Sequence, residues 1–137
     1  MKISRKVEYA SRVLAQLARC YGTNKMPHIE ELANAEDVPA NYLVQILNEL
    51  RSAGLIVSRR GKQGGYMLAR APVEISVADV FKAIDGELLE PSSEVGGQSG
   101  RGVSKVLGKI SADFEASAAS HTIRDIVGAD SATMYFI

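Results

Sequence analysis

The chain has 137 residues, of which 46% are hydrophobic and only one, Cys20, is a cysteine. That length allows one domain, or one small domain with an extension that serves assembly. The single cysteine excludes an intramolecular disulfide framework and any thiolate-rich zinc site within one chain. No apolar run approaches the roughly 20 residues needed to span a bilayer, and the polar N-terminus lacks the apolar core of a signal peptide, so a cytoplasmic protein is expected.

The formal net charge of zero conceals an uneven distribution. Residues 1–70 hold eleven Lys and Arg against six Asp and Glu, a net charge of +5, whereas residues 71–137 hold five against ten, a net charge of −5. A basic half beside an acidic half predicts that only the first half meets a polyanion, and that the second serves assembly or sensing.

The periodicity of apolar residues predicts a first helix over about 4–21 and a short second helix over about 28–35. Pro39 opens a third helix over 39–53, because its missing N–H costs nothing at that position, and Gly54 caps the end of this helix. Two helices joined by a tight turn, the second polar on one side, form the helix-turn-helix pattern.

Two short strands are predicted next, over 55–58 and 66–69, around a glycine-rich basic tip. Ser76 is a candidate N-cap for a helix over 77–85, with Asp79 in the capping-box position. The rest of the chain predicts a mobile loop over 90–102, a long amphipathic helix over 103–119 and a short last helix from Thr122 to Val127. We therefore expect a mostly α fold with a small β-hairpin wing.

The third helix has two chemically different faces. Leu43, Ile46, Leu47 and Leu50 lie on one side, and uncharged amides lie opposite, at Asn41, Gln45 and Asn48. Exposed helix faces usually carry Glu and Lys, whereas Asn and Gln can form paired hydrogen bonds with base edges in the major groove. This pattern favours DNA contact over an ordinary solvated face, which is the alternative.

The hairpin tip combines Arg59, Arg60 and Lys62 with glycines, which permit close backbone approach to phosphate or to a narrow minor groove. A nucleotide-binding phosphate loop is the weaker alternative, because Gly61-Lys62 lacks the preceding glycine spacing and the following Ser or Thr. An ordinary charged hairpin tip is the other alternative.

These residues bring the chain to a resemblance with the Rrf2 family of bacterial winged-helix repressors, in particular the branch that controls cysteine metabolism. The resemblance covers nearly the whole chain, is specific over 42–79 and is looser over 87–130. It is carried by Tyr42-Leu43, Gln45, Leu50-Arg51, Ala53-Gly54-Leu55-Ile56, Ser58, Arg60-Gly61, Gly64-Gly65-Tyr66, Leu68, Pro72, Ile75 and Asp79, by the opening Met1-Lys2-Ile3-Ser4 and by the ending Tyr135-Phe136-Ile137.

The resemblance implies a homodimer on a palindromic operator, with half-sites about 34 Å apart. It divides the chain into a winged helix-turn-helix domain, 1–72, and a dimerisation and regulatory part, 73–137. The long helix would cross its partner through Val103, Val106, Leu107, Ile110 and Phe114, and packing on its own domain is the alternative. The predicted DNA contacts are Lys2, Arg5, Asn41, Tyr42, Gln45, Asn48, Arg59, Arg60, Lys62 and Gln63. Lys6, also near the start of the first helix, is a further candidate for phosphate contact.

The chain also departs from the family pattern. Members that sense iron–sulfur clusters carry three cysteines in the loop that corresponds to 90–102, and this loop has none, so no cluster or other cofactor is expected. Val44 stands where the family has a glutamate in the recognition helix. Val7-Glu8 stands where the family has Gly-Arg, next to the first-helix tyrosine.

Two further features concern regulation. Cys20 is either an inert packing residue or a redox site that acts through sulfenic acid or an intersubunit bridge, and His28 and His121 have no second metal ligand at suitable spacing. The tail Tyr135, Phe136, Ile137 could dock into a partner through its carboxylate, and the resemblance suggests cysteine synthase as that partner. Packing onto the dimer core is the alternative for the tail.

The sequence shows no nucleophile–base pair and no paired catalytic carboxylates, so enzymatic activity is not expected. We conclude that the sequence predicts a dimeric DNA-binding transcriptional regulator, most similar to repressors of cysteine metabolism. Two other hypotheses share the fold: a winged-helix module that binds protein, and a regulator that senses redox state through Cys20.

Overall fold

The computed structural model describes residues 2–87, 89 and 95–135, with side chains described as far as residue 130. Within these ranges the chain forms helices and one two-stranded antiparallel sheet. None of the helices described is long and apolar enough to cross a membrane. The elements are α1 Arg5–Cys20, α2 Ile29–Glu36, α3 Ala40–Ser52, β1 Ile56–Arg59, β2 Gly65–Leu68, a 3-10 turn Pro72–Glu74, α4 Val77–Asp85, α5 Gly100–Ser120 and α6 Ile123–Tyr135.

The first helix begins where a side chain can satisfy its free backbone donors. The Ser4 hydroxyl accepts a hydrogen bond from the Val7 N–H at 3.2 Å, which is the function of an N-cap residue. The helix ends before Gly22, whose φ of +82° is open to glycine at little cost. Its buried face includes Val13, Leu14 and Leu17, and this face forms the centre of the core.

The predicted helix-turn-helix is confirmed. Asp37, with a φ of +53°, ends α2 in the left-handed conformation, and Pro39 precedes the first turn of α3. The apolar stripe of α3 is buried against α1 and α2. Burying a leucine side chain contributes about 1.5–3 kcal/mol, so this stripe fixes the rotation of α3 and leaves the opposite face to solvent. The stripe comprises Leu43, Ile46, Leu47 and Leu50.

The hairpin is held by backbone contacts along its second strand. Ile56 pairs with Leu68 and Arg59 with Gly65, and the Tyr66 N–H donates to the Pro27 carbonyl at 3.0 Å. A Cβ on Gly65 would lie 2.2 Å from the Met26 carbonyl oxygen. Only glycine therefore allows the second strand to approach this segment.

The second half of the chain joins the same core. Ser76 and Asp79 form the predicted capping box of α4, whose bounds match the prediction. The Ile123 N–H donates to the Ile75 carbonyl at 3.0 Å, and the Val77 N–H donates to the His121 carbonyl at 2.8 Å. The buried Ile123 thus places the start of α6 against the winged-helix core.

Two helices are longer than predicted. The predicted loop over 90–102 ends earlier, because α5 begins at Gly100 and the Val103 N–H already donates to the Ser99 carbonyl at 3.0 Å. Residues 90–94 of that loop lie outside the described part. The last helix continues past Gly128 to Tyr135. Glycine costs about 1 kcal/mol in a helix, so the glycines near the start of α5 and within α6 led to predicted helices that were too short. Backbone hydrogen bonds to neighbouring residues keep both segments helical.

Candidate nucleic-acid interface

The polar face of α3 points away from the core. The predicted contacts Asn41, Gln45 and Asn48 are all exposed, and Val44 is 50% exposed among them. A valine among three amides adds an apolar contact of the kind that can pack on a thymine methyl group. The face can therefore combine hydrogen bonding with apolar contact.

Tyr42 is partly exposed but is held in place. Its ring meets the Tyr9 ring edge to face at a centroid distance of 5.7 Å, and the Arg12 guanidinium lies 4.9 Å from the centre of the Tyr9 ring. Arg12 also donates to the Glu36 carbonyl at 3.0 Å. These contacts connect α3 to α1 and to the end of α2, so Tyr42 presents its hydroxyl from a fixed position.

The wing tip carries exposed cations without acidic partners. Arg59, Arg60, Lys62 and Gln63 are exposed, and in the described part of the chain none of the three cations forms an ion pair. Unpaired cations on a surface attract polyanions. Gly64 lies beneath them, and a Cβ there would come within 2.0 Å of the Arg59 carbonyl oxygen, so the tip requires glycine.

A polar cleft of about 420 Å³ separates the wing from the start of α2. Arg51, Arg59 and Arg60 line it together with His28 and Glu30. The wing guanidinium groups of Arg59 and Arg60 at this cleft favour an anion such as a DNA phosphate.

Arg51 is a site residue that the sequence did not reveal. Its guanidinium donates to the Asn48 Oδ1 and to the Ser58 Oγ, both at 3.3 Å, and so links the amide face of α3 to β1. The spacing of three residues between Asn48 and Arg51 indicates that the two side chains can meet. The link to Ser58 depends on how the hairpin folds back, which periodicity does not predict.

The three cations near the N-terminus differ in how available they are to bind phosphate. Arg5 is exposed, and Lys2 lies in a small apolar pocket beside Asp85 and Glu87, whose carboxylates weaken its attraction for phosphate. Lys6, a further candidate for phosphate contact, instead pairs with Glu49 at 2.6 Å. Arg5 is the cation of this group that the structure leaves most available.

Most of the predicted dimer stripe on α5 faces outward. Val103, Val106, Leu107 and Ile110 are 51–59% exposed, so packing on the chain's own domain does not cover them. Phe114 differs, because its ring packs edge to face on Phe81 at a centroid distance of 5.5 Å. The stripe therefore has an uncovered part and one residue that anchors α5 to α4.

Two carboxylates near the helix-turn-helix have shifted pKa values. Burial raises the pKa of Glu36, and the nearby Arg19 and Arg12 only partly offset this effect. The backbone N–H of His28, which donates to Glu31 at 3.2 Å, lowers the pKa of Glu31. Neither group lies on the exposed face of α3.

The remaining predicted residues stay as predictions. Cys20 is a half-buried free cysteine at the end of α1. Phe136 and Ile137 lie outside the described residues, as does the side chain of Tyr135. Among the described residues, no group of three or more His, Cys, Asp and Glu could hold a metal ion.

The helix pair α2 and α3, with amides on α3 and a basic hairpin beside it, is the arrangement of winged helix-turn-helix regulators. The chain belongs to the Rrf2 family, because residues 3–129 match the model of that family. The family is described as iron-dependent transcriptional regulators. The predicted family and fold class are therefore confirmed.

Two solved structures are similar over most of the chain. The structure of CymR, the global cysteine regulator of Bacillus subtilis, has a TM-score of 0.82 at 25% identity and covers 94% of this chain and 98% of its own. IscR of T. potens has a TM-score of 0.76 at 30% identity, over 95% of this chain and 88% of its own. The fold of this chain is thus shared by both.

Curated relatives match about two thirds of the chain. A Mycobacterium tuberculosis protein, named as an HTH-type transcriptional regulator, is 46% identical to this chain over 88 residues. The match covers 64% of this chain and 54% of that protein. The chain thus spans about half the length of that relative. The relatives carry the names of transcriptional regulators.

The iron named in the family description does not fit this chain as a cysteine-bound cluster. Such clusters are held chiefly by several thiolates, and the sequence offers Cys20 alone. Cys20 is the last residue of α1. The donor set therefore does not match a cluster bound by the chain's own cysteines.

Proposed function

We propose that this protein is a sequence-specific DNA-binding repressor that acts as a cytoplasmic homodimer on a palindromic operator and has no enzymatic activity. The observation that carries the proposal is that an exposed amide face on α3 lies beside wing cations that form no ion pair among the described residues. Amides can distinguish base edges, and cations hold phosphates without regard to sequence. One surface thus supplies both specificity and affinity.

The uncovered stripe on α5 supports the homodimer. Several large aliphatic side chains exposed in a row on one helix are typical of a surface that another protein covers. A second copy of the same helix would bury both stripes together, and twofold symmetry of the protein would require twofold symmetry of the operator. Two copies of α3 would then contact two successive major grooves.

A role in sulfur metabolism is supported by the similarity to CymR, which is a cysteine regulator. We further propose that the tail Tyr135, Phe136, Ile137 docks into cysteine synthase through its terminal carboxylate. Deleting Ile137 and measuring affinity for purified cysteine synthase tests the docking. Unchanged affinity would refute it without affecting the proposal of DNA binding.

Selection of genomic fragments by the purified protein, followed by sequencing, tests the main proposal. Enrichment of one short palindrome is expected, and sulfur genes beside the enriched sites would support the cysteine role. Retention of fragments without any shared sequence, with or without cysteine synthase, would contradict it. Gln45→Ala should change the preferred sequence, and an unchanged preference would show that α3 is not the base-contacting element.

A further inference from the structure

We infer that Arg51 is a specificity-positioning residue, which orients the Asn48 amide so that its N–H groups, and not its oxygen, are offered to DNA. This inference rests on the proposed function. It goes further by assigning a base preference to one side chain and by naming the residue that imposes it.

The geometry joins three side chains from two elements. Arg51 Nη2 donates to Asn48 Oδ1 at 3.3 Å, and Arg51 Nη1 donates to Ser58 Oγ at 3.3 Å. The two nitrogens of one planar guanidinium therefore hold two acceptors at a fixed spacing, which a lysine ammonium cannot reproduce. Ser58 belongs to β1, so the hairpin fixes the guanidinium, and the guanidinium fixes the amide.

The chemical consequence lies in which end of the amide is occupied. An asparagine that recognises adenine uses both ends, because its oxygen accepts from adenine N6 while its N–H donates to N7. The Asn48 oxygen has a second lone pair, so the preference comes from orientation: Arg51, bonded also to Ser58 of β1, holds that oxygen toward the hairpin and leaves the N–H groups as the atoms offered to DNA. Those donors suit base edges that carry acceptors, above all guanine with its N7 and O6. Asn48 should therefore favour guanine over adenine at the position that it contacts.

The base pair that Asn48 contacts is identified first. It is the one at which the Asn48→Ala variant no longer distinguishes bases in a panel of single-base operator variants. At that base pair Arg51→Ala should reduce the guanine-over-adenine ratio by about tenfold, since a good base contact contributes about 1–3 kcal/mol of discrimination. All other positions should keep their preferences. Adding Arg51→Ala to Asn48→Ala should change nothing more at that base pair.

Matched variants separate orientation from charge. Arg51→Lys keeps the positive charge, so it should preserve the salt dependence of binding while it relaxes the same base preference. Arg59→Ala on the wing should weaken binding to all sequences alike. Arg51 is exposed on the helix surface and alanine favours helix, so the variants should fold, which thermal unfolding checks.

A measurement on the free protein tests the geometry without DNA. The side-chain amide of Asn48 should show restricted motion in its ¹⁵N relaxation, and this restriction should disappear in Arg51→Ala but persist in Arg59→Ala. An amide that is equally mobile in the wild type and in Arg51→Ala would overturn the inference.

The DNA outcomes also separate the two proposals. A wild-type preference that survives Arg51→Ala unchanged would overturn this inference alone. A uniform loss of affinity in Arg51→Ala, with a shallower salt dependence, would show that Arg51 is a phosphate contact and would overturn it as well. A wild type without any sequence preference would overturn the proposed function together with this inference.

Discussion

The Lys6 Nζ lies 2.6 Å from Glu49 Oε1, and this ion pair joins α1 to α3. Both side chains are mostly shielded, with 19% and 30% of their surfaces exposed, and the second oxygen of Glu49 has no hydrogen-bond partner among the residues that the structure describes. A cation that its position made a candidate for DNA contact is thus used inside the protein.

Breaking this pair on one side should destabilise the fold. Lys6→Ala leaves the shielded Glu49 carboxylate without its partner, which costs about 1–3 kcal/mol. The double variant Lys6→Ala/Glu49→Ala should lose less than the sum of the two single variants, because it leaves no unpaired charge. Urea unfolding of the three variants measures the coupling, and strict additivity would show that the pair contributes nothing.

The wing cations should contribute affinity that depends on salt. Neutralising one phosphate-binding cation lowers the slope of log K against log salt by about 0.9, so Arg59→Ala and Arg60→Ala should each flatten that slope and weaken binding to every sequence. Arg124→Ala is the matched control, since this arginine borders Tyr21 and Pro72 and not the wing. Titrations at several salt concentrations test this, and equal slopes in all three variants would exclude the wing from DNA binding.

Gly64 should be irreplaceable at the wing. A Cβ there would come within 2.0 Å of the Arg59 carbonyl oxygen, so Gly64→Ala should distort the hairpin and weaken DNA binding by at least tenfold, about 1.4 kcal/mol. Gly128→Ala is the control, because nothing lies within 4 Å of a Cβ at that helical position. Replacement there should stabilise α6 by up to about 1 kcal/mol, as thermal unfolding would show.

The α5 stripe should determine the oligomeric state. Ile110→Glu places a charge in the centre of the exposed apolar row, and burying that charge without a partner would be costly. Sedimentation should change from a dimer to the 14.7 kDa monomer. Ala112→Glu, exposed on the opposite face of α5, should remain dimeric. Identical behaviour of the two variants would place the dimer contact elsewhere.

Glu36 should make stability depend on pH. Burial raises its pKa in the folded state, so folding favours the protonated form. The resulting stabilisation is present below the unfolded pKa of about 4.5 and is lost as pH rises through the folded value. Glu36→Gln should therefore raise Tm at pH 7 and have little effect at pH 4. A lower Tm at pH 7 would mean that the Arg19 pairing outweighs burial.

Elements with local end signals were predicted most accurately. Ser76 and Asp79 lie at the start of the helix that they cap, and α4 has the predicted bounds. The start of α5 and the end of α6 were missed because nearby glycines indicated loops, whereas hydrogen bonds hold both segments in the structure. For example, Asp130 in α6 accepts a hydrogen bond from Arg19 at 2.9 Å, across more than a hundred residues.

In the candidate interface, too, local features were predicted and contacts between separate elements were missed. The amide face of α3 follows from helical spacing alone, and the structure exposes it as predicted. The pairing of Lys6 with Glu49 and the bridge from Arg51 to Ser58 depend on how separate elements pack. Patterns along the sequence therefore predicted the exposed face of the interface and missed the contacts that position it.

The way the wing is attached also bears on how such a protein can change over generations. Its second strand is secured by the Tyr66 N–H, which donates to the Pro27 carbonyl, and by the close approach of Gly65 to Met26. The charged side chains at its tip take no part in that attachment. Apart from its glycines, the tip can acquire new side chains without disturbing the core, so duplicated copies of the gene could diverge in DNA preference while they retain one fold.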